Sequence, residues 1–170
     1  MAYAGTLSLS VTGTLTPDTA NDLESQQSSI AYNPNFTITN GTGANQANTV
    51  FSDTRTLTAS ASETIDLNGG TLEDRVCDPI NLTALKFLVI RSHAANPGDL
   101  LVGPNSSNGF AAPFNAAGDR IRVKPGGMLV LVAPDATGYA VTSSTDLLYI
   151  ENGSGAGSAT YDIVFSGVDA

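Results

Sequence analysis

Between residues 5 and 15 every second position is glycine or apolar, and every position between is serine or threonine. Leu7, Leu9, Val11 and Leu15 alternate with Ser8, Ser10, Thr12 and Thr14. A two-residue repeat cannot make an apolar stripe on a helix, whose repeat is 3.6. It does give a β-strand one face for a core and one for water. The alternation returns along the chain. Ile30/Tyr32 and Phe36/Ile38 read as two short strands separated by the turn signal Asn33-Pro34-Asn35. Residues 49–58 and 63–67 read as further strands, the second stopped by Asn68-Gly69-Gly70. Residues 82–91 place Leu85, Phe87 and Val89 on one side and Lys86, Leu88 and Ile90 on the other, which suggests a central strand, apolar on both faces.

The second half continues the pattern. Residues 99–102 form a short strand. Residues 120–124 follow, with Ile121 and Val123 inward. Pro125-Gly126-Gly127 then turns the chain into 128–133, and the pair reads as a β-hairpin. Residues 139–142, 147–150 and 159–165 complete the set, with Tyr161, Ile163 and Phe165 alternating against Asp162 and Val164. Helix signals are weak. Thr16-Pro17-Asp18 could open one short capped helix reaching Gln27, with an irregular loop as the alternative. Roughly eight to ten short strands, with turn signals about every 8–12 residues, predict an all-β fold: an antiparallel, jelly-roll-like sandwich with an N-terminal extended arm.

The arm is expected over residues 1–48 and the sandwich core over 49–170. Residues 1–48 are rich in Ser, Thr and Asn and end in the polar run Asn40-Gly41-Thr42-Gly43-Ala44-Asn45-Gln46-Ala47-Asn48, which reads as a linker or extended loop. The alternative is that the first strands belong to the same sheet as the rest.

Charge narrows the function. Seven Lys/Arg stand against 16 Asp/Glu, a net charge of -9. All seven bases lie between Arg55 and Lys124, and both flanks are purely acidic. Nucleic-acid binders and polybasic membrane anchors neutralise phosphates with Lys and Arg, so neither class fits. The N-terminus has no basic region followed by a continuous apolar stretch, and the longest apolar run, 128–133, is far too short to cross a bilayer. Synthesis in the cytoplasm is the simplest expectation. The single cysteine cannot form an intrachain disulfide.

A catalytic constellation is not visible. His93 follows the central strand, but the adjacent Ser92 would point to the opposite face, and no Gly-x-Ser-x-Gly elbow occurs. An exposed or locally hydrogen-bonded loop histidine is the simpler expectation. Cys77 sits among Glu73, Asp74 and Asp78, the wrong setting for a reactive thiolate, and is expected as a half-buried structural residue. The same three acids lack the spacing of a calcium loop. Asn152-Gly153-Ser154-Gly155-Ala156-Gly157 is glycine-rich without the Gly-Lys-Ser/Thr of a phosphate loop, and reads as a flexible connection. No catalytic residue, metal ligand or cofactor is expected.

Residues 41–57, Lys124-Pro125-Gly126-Gly127 with the strand and turn that follow to Thr142, and the closing Tyr161-Asp162-Ile163-Val164-Phe165 together resemble a family of small β-sandwich virion structural proteins of tailed bacteriophages, the capsid decoration or cement proteins. The likeness spans roughly 40–166 and departs from the family around 68–81. It implies a non-enzymatic protein made in the host bacterial cytoplasm and carried on the outer capsid surface of the virion. There it would bind the major capsid protein, clamp neighbouring subunits and self-associate as a homo-oligomer, a trimer in preference to a dimer. Such proteins commonly add an arm to a neighbour's sheet. The strand carrying Leu7, Leu9, Val11 and Leu15 is the candidate contact. A tail- or fibre-associated module binding host glycan is the alternative, and the absence of tryptophan weighs against it.

Overall fold

The computed structural model describes residues 3–15 and 28–170. All of its regular structure among these residues is β. The expected short helix over 16–27 lies outside the described residues.

Two sheets build the sandwich. The first runs in the order β11 (Met128–Val132), β8 (Leu82–Ser92), β14 (Ala159–Asp169), β6 (Thr49–Leu57), with the short β12 (Tyr139–Ala140) also paired to β8. The second runs β10 (Ile121–Val123), β9 (Leu100–Pro104), β13 (Leu147–Asn152), β7 (Ser62–Asp66). Every pairing within these sheets is antiparallel. Most connections cross from one sheet to the other, so strands adjacent in sequence rarely pair. A five-stranded and a four-stranded sheet interleaved in this order make a jelly roll.

Period-2 alternation explains the core. Tyr161, Ile163 and Phe165 on β14 meet Leu148 and Ile150 on β13 and Leu100 and Val102 on β9, all of them at or near full burial. Phe51 stacks on Phe165 with ring centroids 4.9 Å apart. Each buried side chain of this size contributes about 1.5–3 kcal/mol from removal of apolar surface.

Within the two sheets, three local expectations fail. The turn at Pro125-Gly126-Gly127 does not close a hairpin: β10 pairs with β9 and β11 with β8, so the turn carries the chain between sheets. The two sides of β8 are also mixed. The register against β14 shifts between Ser166 and Gly167, opposite Phe87 and Leu85. This irregularity lets Leu85 join Leu88 and Ile90 in the main core, while Phe87 and Val89 face outward. Ile121, expected inward, is exposed.

The N-terminal strands form a ribbon. β1 (Gly5–Ser8) pairs with β4 (Asn35–Asn40), and β2 (Val11–Leu15) pairs with β3 (Ser28–Tyr32). Register is constant throughout: Leu7 faces Phe36, Val11 faces Tyr32, Leu15 faces Ser28. In the gap between the two ladders the Leu9 N–H donates to Pro34 O at 3.1 Å. Asn33-Pro34-Asn35 is therefore not a chain reversal. Proline lacks an N–H, so it interrupts the ladder while the strand continues.

The polar run after the ribbon is fastened to the sandwich rather than loose. β5 (Gln46–Ala47) pairs in parallel with β4, and Ala47 is fully buried. Asn45 N–H donates to Pro134 O at 2.7 Å, and Asn48 N–H to Gly167 O at 3.0 Å. The Asn48 side chain both donates to Asp169 O and accepts from Asp169 N–H.

Candidate interaction surface

Directly paired residues of an antiparallel ribbon share a face. With constant register, one face of this ribbon carries Leu7, Leu9, Val11 and Leu15 from one strand and Ile30, Tyr32, Phe36 and Ile38 from the other. The opposite face carries Thr6, Ser8, Thr12 and Thr14 against Thr37, Asn35, Ala31 and Ser29. The four contact residues expected from sequence thus fall on one face. Their environments form a gradient.

At the base the apolar face is covered. Ile38 is buried and Leu7 half-buried against Phe87, Val89, Val132 and Val164, on the outer face of the first sheet. That region is apolar because Val130, Val89 and Val164 line up across three neighbouring strands. Further along, the cover ends. Leu9 is 44% exposed, Val11 46%, Ile30 and Tyr32 60%, and Leu15 72%. No residue of 5–15 or 28–40 is charged.

Where ribbon and sheet diverge, an apolar groove of about 320 Å³ opens. Leu9, Tyr32 and Phe36 form one wall; Val89, Met128 and Val130 form the other. Met128 is 56% exposed. Sequence reasoning named Leu9 as a contact residue and missed Tyr32 and Met128, which line the groove with it, and Ile30 farther along the same ribbon face. Their signal was available in part: once residues 5–15 are paired with a second strand, parity alone dictates that strand's apolar face.

The residues considered for chemistry are dispersed. The His93 ring nitrogen Nε2 lies 3.0 Å from Asp162 Oδ1, and Thr54 Oγ1 donates to the same oxygen at 2.8 Å. The bonds from His93 and then Thr54 hold the Asp162 carboxyl below the usual range. This cluster lies on the solvent-facing surface of the first sheet, beside Arg91.

Cys77 is exposed, not half-buried, and sits at a positive φ of 66°. Its turn is organised by Asp74, whose Oδ1 accepts the N–H groups of Val76 and Asp78. Among the described residues no group of three or more His, Cys, Asp or Glu side chains is placed to hold a metal ion. Asn152, within the glycine-rich run, is fully buried, and its amide donates to the carbonyls of Thr58 and Gly157. That amide pins the connection between β13 and β14.

One ionic network reaches the interior. Glu63 accepts from Tyr161 Oη at 2.7 Å and from Arg55 at 2.7 Å, and Arg55 also contacts Asp53 at 3.0 Å. Burial, reinforced by the Glu63 carboxylate, pushes the Tyr161 phenol far above its ordinary range. A phenol so firmly protonated serves as a structural donor between the two sheets.

No family model and no curated protein matches the chain. Among solved structures it is similar to the structure of IMPa from Pseudomonas aeruginosa in complex with an O-glycopeptide. The identity is 18% over 71% of this chain, with a TM-score of 0.38. The matched region spans 13% of that much longer chain.

Proposed function

We propose that this protein is a capsid decoration, or cement, protein of a tailed bacteriophage. In this reading it is a non-enzymatic virion component that binds the outer surface of the major capsid shell as a homo-oligomer and clamps neighbouring subunits. The observation that carries the reading is the uncharged, apolar-faced ribbon of β1–β4, seated on the sandwich at its base and uncovered beyond Leu9. An isolated two-stranded ribbon is marginal in water, so a surface of this kind calls for a partner. The outer edges of β2 and β3 pair with no other strand among the described residues. They are therefore available to add to a neighbour's sheet through main-chain hydrogen bonds. The acidic balance of the chain favours a protein surface over a nucleic-acid-lined interior.

Quantitative mass spectrometry of purified particles tests the reading. A cement protein is present in numbers comparable to the major capsid protein. A few copies per particle would move the protein to the tail, and its absence from particles would end the proposal.

A further inference from the structure

We infer that the exposed end of the ribbon docks into the apolar groove of a second copy of this chain. The inference deepens the self-association in the function proposed above, and rests on that reading only for its biological setting. It requires no capsid.

Each copy carries two uncovered apolar features side by side. One is the ribbon face bearing Val11, Leu15 and Ile30. The other is the groove whose far wall is Met128 and Val130. The groove continues a contact the chain already makes with itself, because the same ribbon face, one or two turns of the alternation earlier, packs Leu7 and Ile38 against Val89 and Val132. A surface that accepts this face at its root offers the same chemistry a few residues on. A second copy covers both features in one kind of contact.

Charge agrees with this pairing. Residues 16–27, which join β2 to β3, contain Asp18, Asp22 and Glu24 and no base. One exposed base stands beside the groove: Arg91 pairs across the ladder with Met128, its nearest carboxylate being Asp162 at 3.9 Å, whereas Arg122 and Lys124 beyond the Pro125-Gly126-Gly127 turn are held by Asp99. A ribbon entering another copy's groove brings its acidic residues toward Arg91, whereas two acidic ends meeting each other would repel. The edges of β2 and β3 stay free for strand addition to a capsid subunit. Self-association through the face and attachment through the edge are then compatible.

Light scattering coupled to size-exclusion chromatography on the full chain tests the inference. The expected mass is two or three times the 17.4 kDa of one chain. Ile30→Asp removes the ribbon side of the contact and Met128→Asp the groove side. Both positions are exposed, so each variant should keep the wild-type far-ultraviolet circular dichroism and run as a monomer. Mixing the two should restore an assembly, because Met128→Asp supplies an intact ribbon and Ile30→Asp an intact groove. A wild-type chain that stays monomeric up to about 100 μM would overturn the inference. So would variants that remain oligomeric, or a mixture that stays monomeric. None of these outcomes bears on copy number in particles, so the functional reading fails or survives separately.

Discussion

The Tyr161 hydroxyl donates to Glu63 Oε1 across 2.7 Å, tying the central strand β14 of one sheet to the edge strand β7 of the other. The second carboxylate oxygen of Glu63 holds Arg55. One carboxylate therefore joins β14 and β6 of the first sheet to β7 of the second. Tyr161→Phe leaves Glu63 its arginine and should cost about 1–2 kcal/mol. Glu63→Ala leaves the Tyr161 hydroxyl without its acceptor and Arg55 with Asp53 alone, and should cost more, about 2–4 kcal/mol. Urea unfolding with unchanged m-values checks the order of the two.

Asp146 is buried, and its Oδ1 has no hydrogen-bond partner. Burial raises its pKa, and the neighbouring Asp66 charge raises it further. The unfolded chain gives up this proton at lower pH than the folded one. Stability from this group is thus fully present below the ordinary carboxylate range and is lost as pH rises through the raised value. Asp146→Asn should stabilise the protein at pH 7 by about 1–2 kcal/mol and do little near about pH 3. Thermal melts of both proteins across pH 3–7 would show the curves converging on the acid side.

Lys86 is buried, and its ammonium donates to Asp135 O and to Ala136 O at 2.9 Å. Burial lowers its pKa, with Asp135 opposing. It fastens the loop that also receives Asn45 N–H at Pro134 O, so a single side chain supports the docking of the segment after the ribbon. Lys86→Ala should cost about 2–3 kcal/mol through lost charge-assisted bonds and lost packing. Amide exchange should quicken at Asn45 before it quickens in the core.

Leu9 and Ile38 lie on the same ribbon face in opposite surroundings, one 44% exposed and the other 5%. Ile38→Asp buries a charge against Phe87 and should lower stability by several kcal/mol, roughly 3 or more. Leu9→Asp should change stability by less than about 1 kcal/mol and weaken assembly instead. Equal losses of stability in the two variants, measured by denaturant titration, would mean that the groove is part of the core.

Much of this architecture is legible in the sequence because alternation is a short-range signal. Leu7, Leu9, Val11 and Leu15 declare a face without reference to anything else, and so do Tyr161, Ile163 and Phe165. What fails is whatever depends on a distant strand. The register shift that separates Leu85 from Phe87 arises where β8 meets Ser166 and Gly167, about eighty residues away, and one irregular residue inverts the parity that follows. Pro125-Gly126-Gly127 forms the tight turn its residues dictate, but no local feature says whether such a turn stays within a sheet or crosses between two. Pro34 looked like a reversal because proline marks turns and ladder gaps alike. The groove was invisible for the same reason as the bulge, since Met128 and Tyr32 come to face each other only when the ribbon is seated on the first sheet.

The function proposed for this protein is to coat a capsid from outside. Low-resolution imaging of tailed-phage particles assembled with this chain, labelled by antibody against residues of the exposed sandwich surface, measures this directly. The account predicts label distributed over the whole outer shell in a regular array. Label confined to the tail or its fibres, or no label on intact particles, would contradict it.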